Sequence, residues 1–421
     1  MPNVLIIGRG GREHALAWKL SQSATVFIAP GNPGTAAVAK RVPINETDFD
    51  ALAEFATQNN INLTVVGPEA PLAAGIADVF ARRGLPVFGP TAAAARIEGS
   101  KAFAKNLMQK HGIPTAAYAV FDQYETAHAY LATADMPIVI KADGLAAGKG
   151  VIIAQSREEA DAALVEMFQG SAFGEAGRTV VIERFLQGEE FSLFALVHEG
   201  RCLVTALSQD HKRAYDGDEG PNTGGMGAYS PVPQMACHTA EAEAILHRTI
   251  AAMQAEGCPF TGFLYGGFMA TPEGVMVIEF NARLGDPEAQ VLLPRLENDL
   301  YEVLTTLLSG ADTLPALHWS ADAAVGVVLA AEGYPGTVTA TGAPIPGLDT
   351  PTDALVFHSG TAQEDGKPDG KPFTINGGRV LVVVGKGATL EAARAVAYSA
   401  TQKIACPQLF YRKDIGQKAL K

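Results

Sequence analysis

A chain of 421 residues is long enough for two to four domains, each with its own core. Its formal charge of −13 and its lack of any long Lys/Arg block argue against a nucleic-acid or anionic-membrane partner. A hydrophobic fraction of 48% argues against disorder, no apolar run approaches the ~18 residues of a membrane span, and four scattered cysteines with no CxxC pair favour reduced thiols, so a cytoplasmic protein is expected.

Residues 1–90 alternate short β-branched runs (4–7, 25–29, 63–66, 87–88) with Ala-rich helical stretches. The first three runs end in polar or glycine turns at 8–13, 31–34 and 67–69. This pattern predicts an open parallel sheet with helical crossovers, whose ligands bind beyond the carboxyl ends of the strands. A helix is predicted over 101–117, stopped by Gly112 and Pro114. Residues 118–187 read as a small α+β module with strands PIVIKAD, VIIAQ and TVVIERF. Strands dominate 188–320, followed by a helix after Asn298. From 321 the chain turns to short strands, Gly-Pro turns and an Ala-rich helix at 390–404, with an exposed loop at 364–372.

Two familiar glycine motifs fail. Gly8-Arg9-Gly10 begins a dinucleotide fingerprint, but Glu13 replaces the third glycine, which lets helix and strand pack closely. GLAAGKG at 144–150 is one residue short of a Walker loop and lacks its Ser/Thr. Set between two apolar strands, Gly144, Gly148, Lys149 and Gly150 instead make a loop with free amides and a cation, suited to closing over triphosphate oxygens. Lys141, on the incoming strand, can reach a phosphate or an adenine.

In VVIERFLQGEE, the run from Glu183 to Leu186 can offer apolar faces and backbone partners to an adenine, and Glu190 an acceptor for ribose hydroxyls. GVMVIEFNARLGDPE is sharper. Strand alternation puts Ile278 and Phe280 on one face and Glu279 and Asn281 on the other, with Arg283 following. Two adjacent oxygen ligands with open positions suit Mg²⁺ bridged to nucleotide phosphates. An arginine just beyond can stabilise a transferring phosphoryl group or an acyl phosphate. Residues 210–231, DHKRAYDGDEGPNTGGMGAYSP, are too long and polar for a plain hairpin, and Thr223, Gly224 and Gly225 suit backbone contacts to an anionic or sugar ligand. His14 and His211, without visible partners, read as structural.

Together with GRGGREHALAW, GNPGT, GPEAPL, IEGSKAFAK and the later GYPG, these segments resemble the phosphoribosylamine–glycine ligase family of the ATP-grasp superfamily over nearly the whole chain. The resemblance implies an α/β and α+β multidomain protein: an N-terminal open parallel α/β domain (1–101), a central ATP-grasp fold (102–117 and 188–320) with its lid (118–187), and a small C-terminal mixed α/β module (321–421). It also implies ATP and Mg²⁺, with Mn²⁺ as an alternative, glycine and 5-phosphoribosylamine as substrates, and a monomer. By position, Glu279 and Asn281 would hold metal, and Lys105, Lys141 and the 144–150 loop would meet phosphates. Glu183, Leu186 and Glu190 would hold adenine and ribose, while Arg283 and Asp286 would orient glycine or its acyl phosphate. Gly10, Gly11, Asn32 and Glu69 would meet the ribose phosphate, with Asp210 and Gly225 closing from the other side. The strand before the metal strand, LYGGFMA, lacks the acid that many ATP-grasp enzymes carry there.

Overall fold

The structure, a computed structural model, describes residues 1–144, 150–170, 178–363 and 372–420. The N-terminal strands form a parallel sheet in the order Lys40–Arg41, Thr25–Pro30, Asn3–Gly8, Leu63–Val66, Val87–Phe88. Alternation along the first strand divides its buried side chains between two layers. Leu5 and Ile7 join one core with Leu52 and Ala56 of helix Phe49–Gln58, while Val4 and Ile6 join another with Leu16 and Leu20 of helix Gly11–Leu20.

This strand order reverses direction between Asn3–Gly8 and Leu63–Val66, the position at which open α/β sheets form a ligand crevice. Glu13 fills the inner end of that crevice. Its carboxylate accepts from Gly10 N at 2.6 Å, and a Cβ on Gly67 would fall 2.1 Å from its Oε1. The residue that breaks the dinucleotide pattern thus packs where the glycine loops leave space.

The helix predicted over 101–117 ends earlier, at Lys110, where Gly112 takes φ +62°. The chain then runs extended, and Thr115 bridges Val277 in parallel. Two antiparallel four-stranded sheets follow. The smaller has the order Tyr118–Phe121, Val180–Arg184, Ile138–Ala142, Val151–Ala154. The larger has the order Arg201–Val204, Glu189–His198, Thr261–Thr271, Gly274–Asn281. A helix at Thr239–Ala255, in a stretch read as mostly strands, packs Leu246 and Met253 onto the core shared with the larger sheet.

The glycine-rich block at 210–231 is largely ordered as strands. Arg213–Tyr215 pairs with Glu219–Asn222, while Gln209–Asp210 and Gly227–Ser230 extend a sheet completed by Ala323–Ala331, Arg379–Gly387, Leu355–His358 and Leu409–Phe410. The helix Leu390–Lys403 covers this sheet through Ala393 and Ala397. The block therefore ties the C-terminal sheet to the centre. Among the described residues no helix is long and apolar enough to cross a membrane.

Candidate active site

A cavity of about 400 Å³ opens where the N-terminal loops, both antiparallel sheets, the 210–231 block and the C-terminal sheet converge. One wall is the strand Gly274–Asn281. The expected pairing of Ile278 with Phe280 on one face is not what the strand does. Gly267 pairs with Glu279 but Phe268 pairs with Val277, so Ile278 is an inserted residue and the strand bulges. The bulge switches the alternation: Ile278 packs with Met276, Leu186, Met269 and Ala116, whereas Phe280 joins Val275 and Val277 in the core.

Glu279 and Asn281 consequently line the cavity beside Ile278, with Asn281 Nδ2 3.5 Å from Glu279 Oε1. Opposite Glu279 stands Gly267, without a side chain to add a ligand. Among the described residues no three His, Cys, Asp or Glu side chains are grouped so that they could hold a cation by themselves. The two oxygen donors fit a hard ion such as Mg²⁺, which keeps water and phosphate oxygens in its remaining positions.

Beside this wall, Glu183 joins two lysines. Its Oε2 lies 2.8 Å from Lys105 Nζ and its Oε1 2.9 Å from Lys141 Nζ. Burial alone would raise the Glu183 carboxyl, but Lys141 and Lys105 hold it below the usual carboxylate range. Lys101 Nζ donates to the Gly144 carbonyl at 2.9 Å, and Asp143 accepts from Ser100 Oγ and Ala102 N, so the helix Lys101–Lys110 is pinned to the start of the glycine loop. Gly144 and Gly150 line the cavity; Gly148 and Lys149 lie outside the described residues. Leu186 sits behind Ile278 in the apolar cluster and not on the cavity wall. Glu190 borders an adjoining recess and pairs with Lys212 at 3.3 Å.

Arg283 projects between N-terminal carboxylates, 2.8 Å from Glu98 and 3.3 Å from Glu69, and donates to Asn281 Oδ1 at 3.1 Å. Burial opposes its charge, but Glu98 and Glu69 keep it firmly protonated. Asp286 accepts from Gln290 Nε2 at 2.8 Å and from Arg12 N at 3.4 Å. Burial raises Asp286; Arg379 and Arg12 outweigh it and hold the carboxyl low.

Gly10 and Gly11 open the helix Gly11–Leu20 next to this carboxylate, off the wall itself. A Cβ on Gly10 would lie 3.6 Å from Asp286 Oδ2, and one on Gly11 2.7 Å from Gln290 Nε2. Asn32 does not present its side chain to the cavity, contrary to expectation. Its amide donates to the Arg9 and His358 carbonyls and accepts from Thr35 N, fixing a turn against the C-terminal sheet. Asp210 reaches the wall, paired with Lys212 at 2.9 Å. Gly225 does not line it: at φ +110° it has no room for a side chain, since a Cβ there would fall 2.6 Å from Pro287 Cδ, while Thr223 and Gly224 do line it.

Arg12, Glu98, Lys101, Lys212, Tyr265, Glu288 and Arg379 also line the cavity, and sequence reasoning missed them. Glu98 and Lys101 lie within IEGSKAFAK, and Lys212 within the glycine-rich block, so the signal for these three was local. Arg379 has no local signal; the C-terminal sheet delivers it. His14 and His211 are structural as expected: His14 Nδ1 accepts from His358 N at 2.9 Å, and His211 Nε2 from Gly416 N at 3.4 Å.

Two antiparallel sheets closing on a charged cleft, with E-x-N-x-R on its wall, define an ATP-grasp carboxylate–amine ligase. The N, ATP-grasp (A) and C domains of phosphoribosylglycinamide synthetase match residues 2–98, 99–289 and 324–418. The phosphoribosylamine–glycine ligase of Halalkalibacterium halodurans is 52% identical over 424 residues, spanning 99% of this chain and 97% of that protein. A crystal structure of phosphoribosylamine–glycine ligase from Thermotoga maritima superposes with a TM-score of 0.85 at 35% identity, covering 98% of this chain and 99% of that one. The biotin carboxylase of Campylobacter jejuni, 14% identical with a TM-score of 0.72 over 98% of this chain and 93% of that one, shares the fold alone. The chain belongs to the phosphoribosylglycinamide synthetase family.

Proposed function

We propose that the chain ligates glycine to 5-phosphoribosylamine, converting ATP to ADP and phosphate and yielding glycinamide ribonucleotide in de novo purine biosynthesis. The observation that carries this reading is that one cavity is shared by Glu279 and Asn281, by Lys105 and Lys141, and by Glu69 and Arg12 from the N-terminal loops. A nucleotide site and an acceptor site would thereby be contiguous, as the two-stage chemistry requires.

In the first stage a glycine carboxylate oxygen attacks the γ-phosphorus and ADP leaves, giving glycyl phosphate. In the second, the amine of phosphoribosylamine forms the C–N bond and phosphate departs. Neither stage needs covalent work from the protein, so positioning and charge neutralisation dominate. Lys105 and Lys141, with Gly144, Gly148, Lys149 and Gly150, are assigned to the phosphates. Glu183 and Leu186 are assigned to the adenine and Glu190 to the ribose. Mg²⁺, or Mn²⁺ in its stead, held by Glu279 and Asn281, would neutralise phosphate charge.

Arg283 and Asp286 are assigned to glycine and its acyl phosphate. Gly10, Gly11 and Glu69, with Asp210, are assigned to phosphoribosylamine; Asn32 and Gly225 contribute by shaping the loops. The division into N-terminal, lid, central and C-terminal parts at 101, 117, 187 and 320 is kept as part of the proposal. An active monomer in a reducing, cytoplasmic setting is kept as part of the same proposal, the four dispersed cysteines fitting reduced thiols.

The test is a substrate panel reading ADP release. Glycine and phosphoribosylamine together are expected to drive release; bicarbonate or formate driving it in their absence would overturn the assignment in favour of a carboxylating or formyl-transferring ligase.

A further inference from the structure

Glu288 opens the short helix Glu288–Leu292 two residues after Asp286, and it lines the cavity although the residue is only 4% exposed. Gly285 makes room for it, since a Cβ there would fall 2.4 Å from Glu288 Oε2. The cations around it are committed elsewhere: Arg283 to Glu98 and Glu69, Lys212 to Asp210 and Glu190, and Arg379 to Asp286 and the Gly224 carbonyl. Among the described residues Glu288 is left with no ion-pair partner. Most other cavity acids are neutralised by those same contacts, and Glu279 is assigned to metal.

We propose, building on the ligase reading, that Glu288 is the group that takes the proton from the acceptor amine as it attacks the acyl phosphate. The nitrogen lone pair forms the C–N bond, and the resulting ammonium gives one proton to the Glu288 carboxylate. The C–O bond to phosphate then breaks, and its electron pair leaves with phosphate. An amide remains, and Glu288 returns the proton to solvent after product release.

The groups facing Glu288 tune it for this task. Burial, then the Asp210 carboxylate, raises its carboxyl to about 7, with Lys212 and Arg283 opposing. Tyr265, on the strand Thr261–Thr271, and Arg379 also sense its charge. A base that titrates near neutrality both accepts a proton readily and sheds it again.

The experiment separates the two stages in Glu288→Gln. Positional isotope exchange in bridge-labelled ATP with Mg²⁺ and glycine alone reads acyl phosphate formation; amide production with phosphoribosylamine reads the second stage. Exchange is expected to stay within about threefold of the parent, while amide formation falls ~100-fold or more and loses its rise with pH through about 7. Glu288→Asp, which withdraws the carboxylate by one methylene, should recover part of that loss. Equal losses of exchange and amide formation, or an unchanged amide rate and pH profile, would overturn the assignment. ADP release in the parent that needed neither glycine nor phosphoribosylamine would sink the ligase reading itself, and the base with it.

Discussion

Lys105 Nζ lies 2.8 Å from Glu183 Oε2, with both side chains almost fully buried beside the cavity. A buried pair of this kind is costly to halve, because removing one charge leaves the other unsolvated. Glu183→Gln strands two ammonium groups, Lys105 and Lys141. It should lower unfolding stability by about 3 kcal/mol or more, read from the urea midpoint at unchanged m. A shift under ~1 kcal/mol would mean that solvent reaches the pair.

The same lysine sets a pH limit. Burial lowers the Lys105 ammonium to about 8, with Glu183 opposing and Lys141 assisting. Above that pH the free enzyme loses a phosphate-binding charge, so kcat/KM for ATP should fall as pH rises through about 8. Lys105→Arg keeps its charge throughout and should lack that limb. An identical limb in both proteins would assign it to another group.

Glu279 makes no ion pair among the described residues, and its Oε1 lies 3.5 Å from Asn281 Nδ2. Glu279→Ala should therefore cost under ~1 kcal/mol of stability while cutting turnover by at least ~100-fold. Paired urea melts and initial rates check both halves. Full activity in the variant would remove Glu279 from the metal site.

How far this site could be read from the sequence depends on range. Apolar runs and glycine turns revealed the parallel sheet and its three loops because alternation and φ preference are local properties. Glu279 and Asn281 were legible as a same-face pair, but the bulge at Ile278 was not, since it depends on pairing with Gly267 and Phe268 across the sheet. Likewise, nothing near Glu98 reveals that it accepts from Ala282 N at 2.7 Å and clamps Arg283. Arg379 reaches Asp286 only through the C-terminal sheet. Asn32 sat in the right loop, but tertiary contacts with His358 had already taken up its amide.

His14 and His358 join the N-terminal helix to the C-terminal sheet, and both are buried. Burial, aided by His358, lowers His14 to about 3, and burial lowers His358 to about 4. An unfolded histidine binds its proton near 6.5, so between that pH and these lowered values the unfolded chain holds more protons. Stability is thus intact above 6.5 and declines as pH falls, by roughly 1–2 kcal/mol per histidine at pH 5. Urea melts across that window check the slope. His14→Asn, which keeps an acceptor without titrating, should lessen it; a flat profile from pH 6.5 to 5 would mean that neither histidine is held neutral by burial.

The most direct measurement is a crystal structure with a non-hydrolysable ATP analogue, Mg²⁺ and glycine. Oxygens of Glu279 and Asn281 are expected at about 2.0–2.1 Å from a metal bridged to the phosphates. Lys105 and Lys141 are expected to turn to phosphate oxygens, with the glycine carboxylate beside Arg283. A metal held instead by Asp210 and Glu288, with Glu279 and Asn281 facing away, would contradict this arrangement.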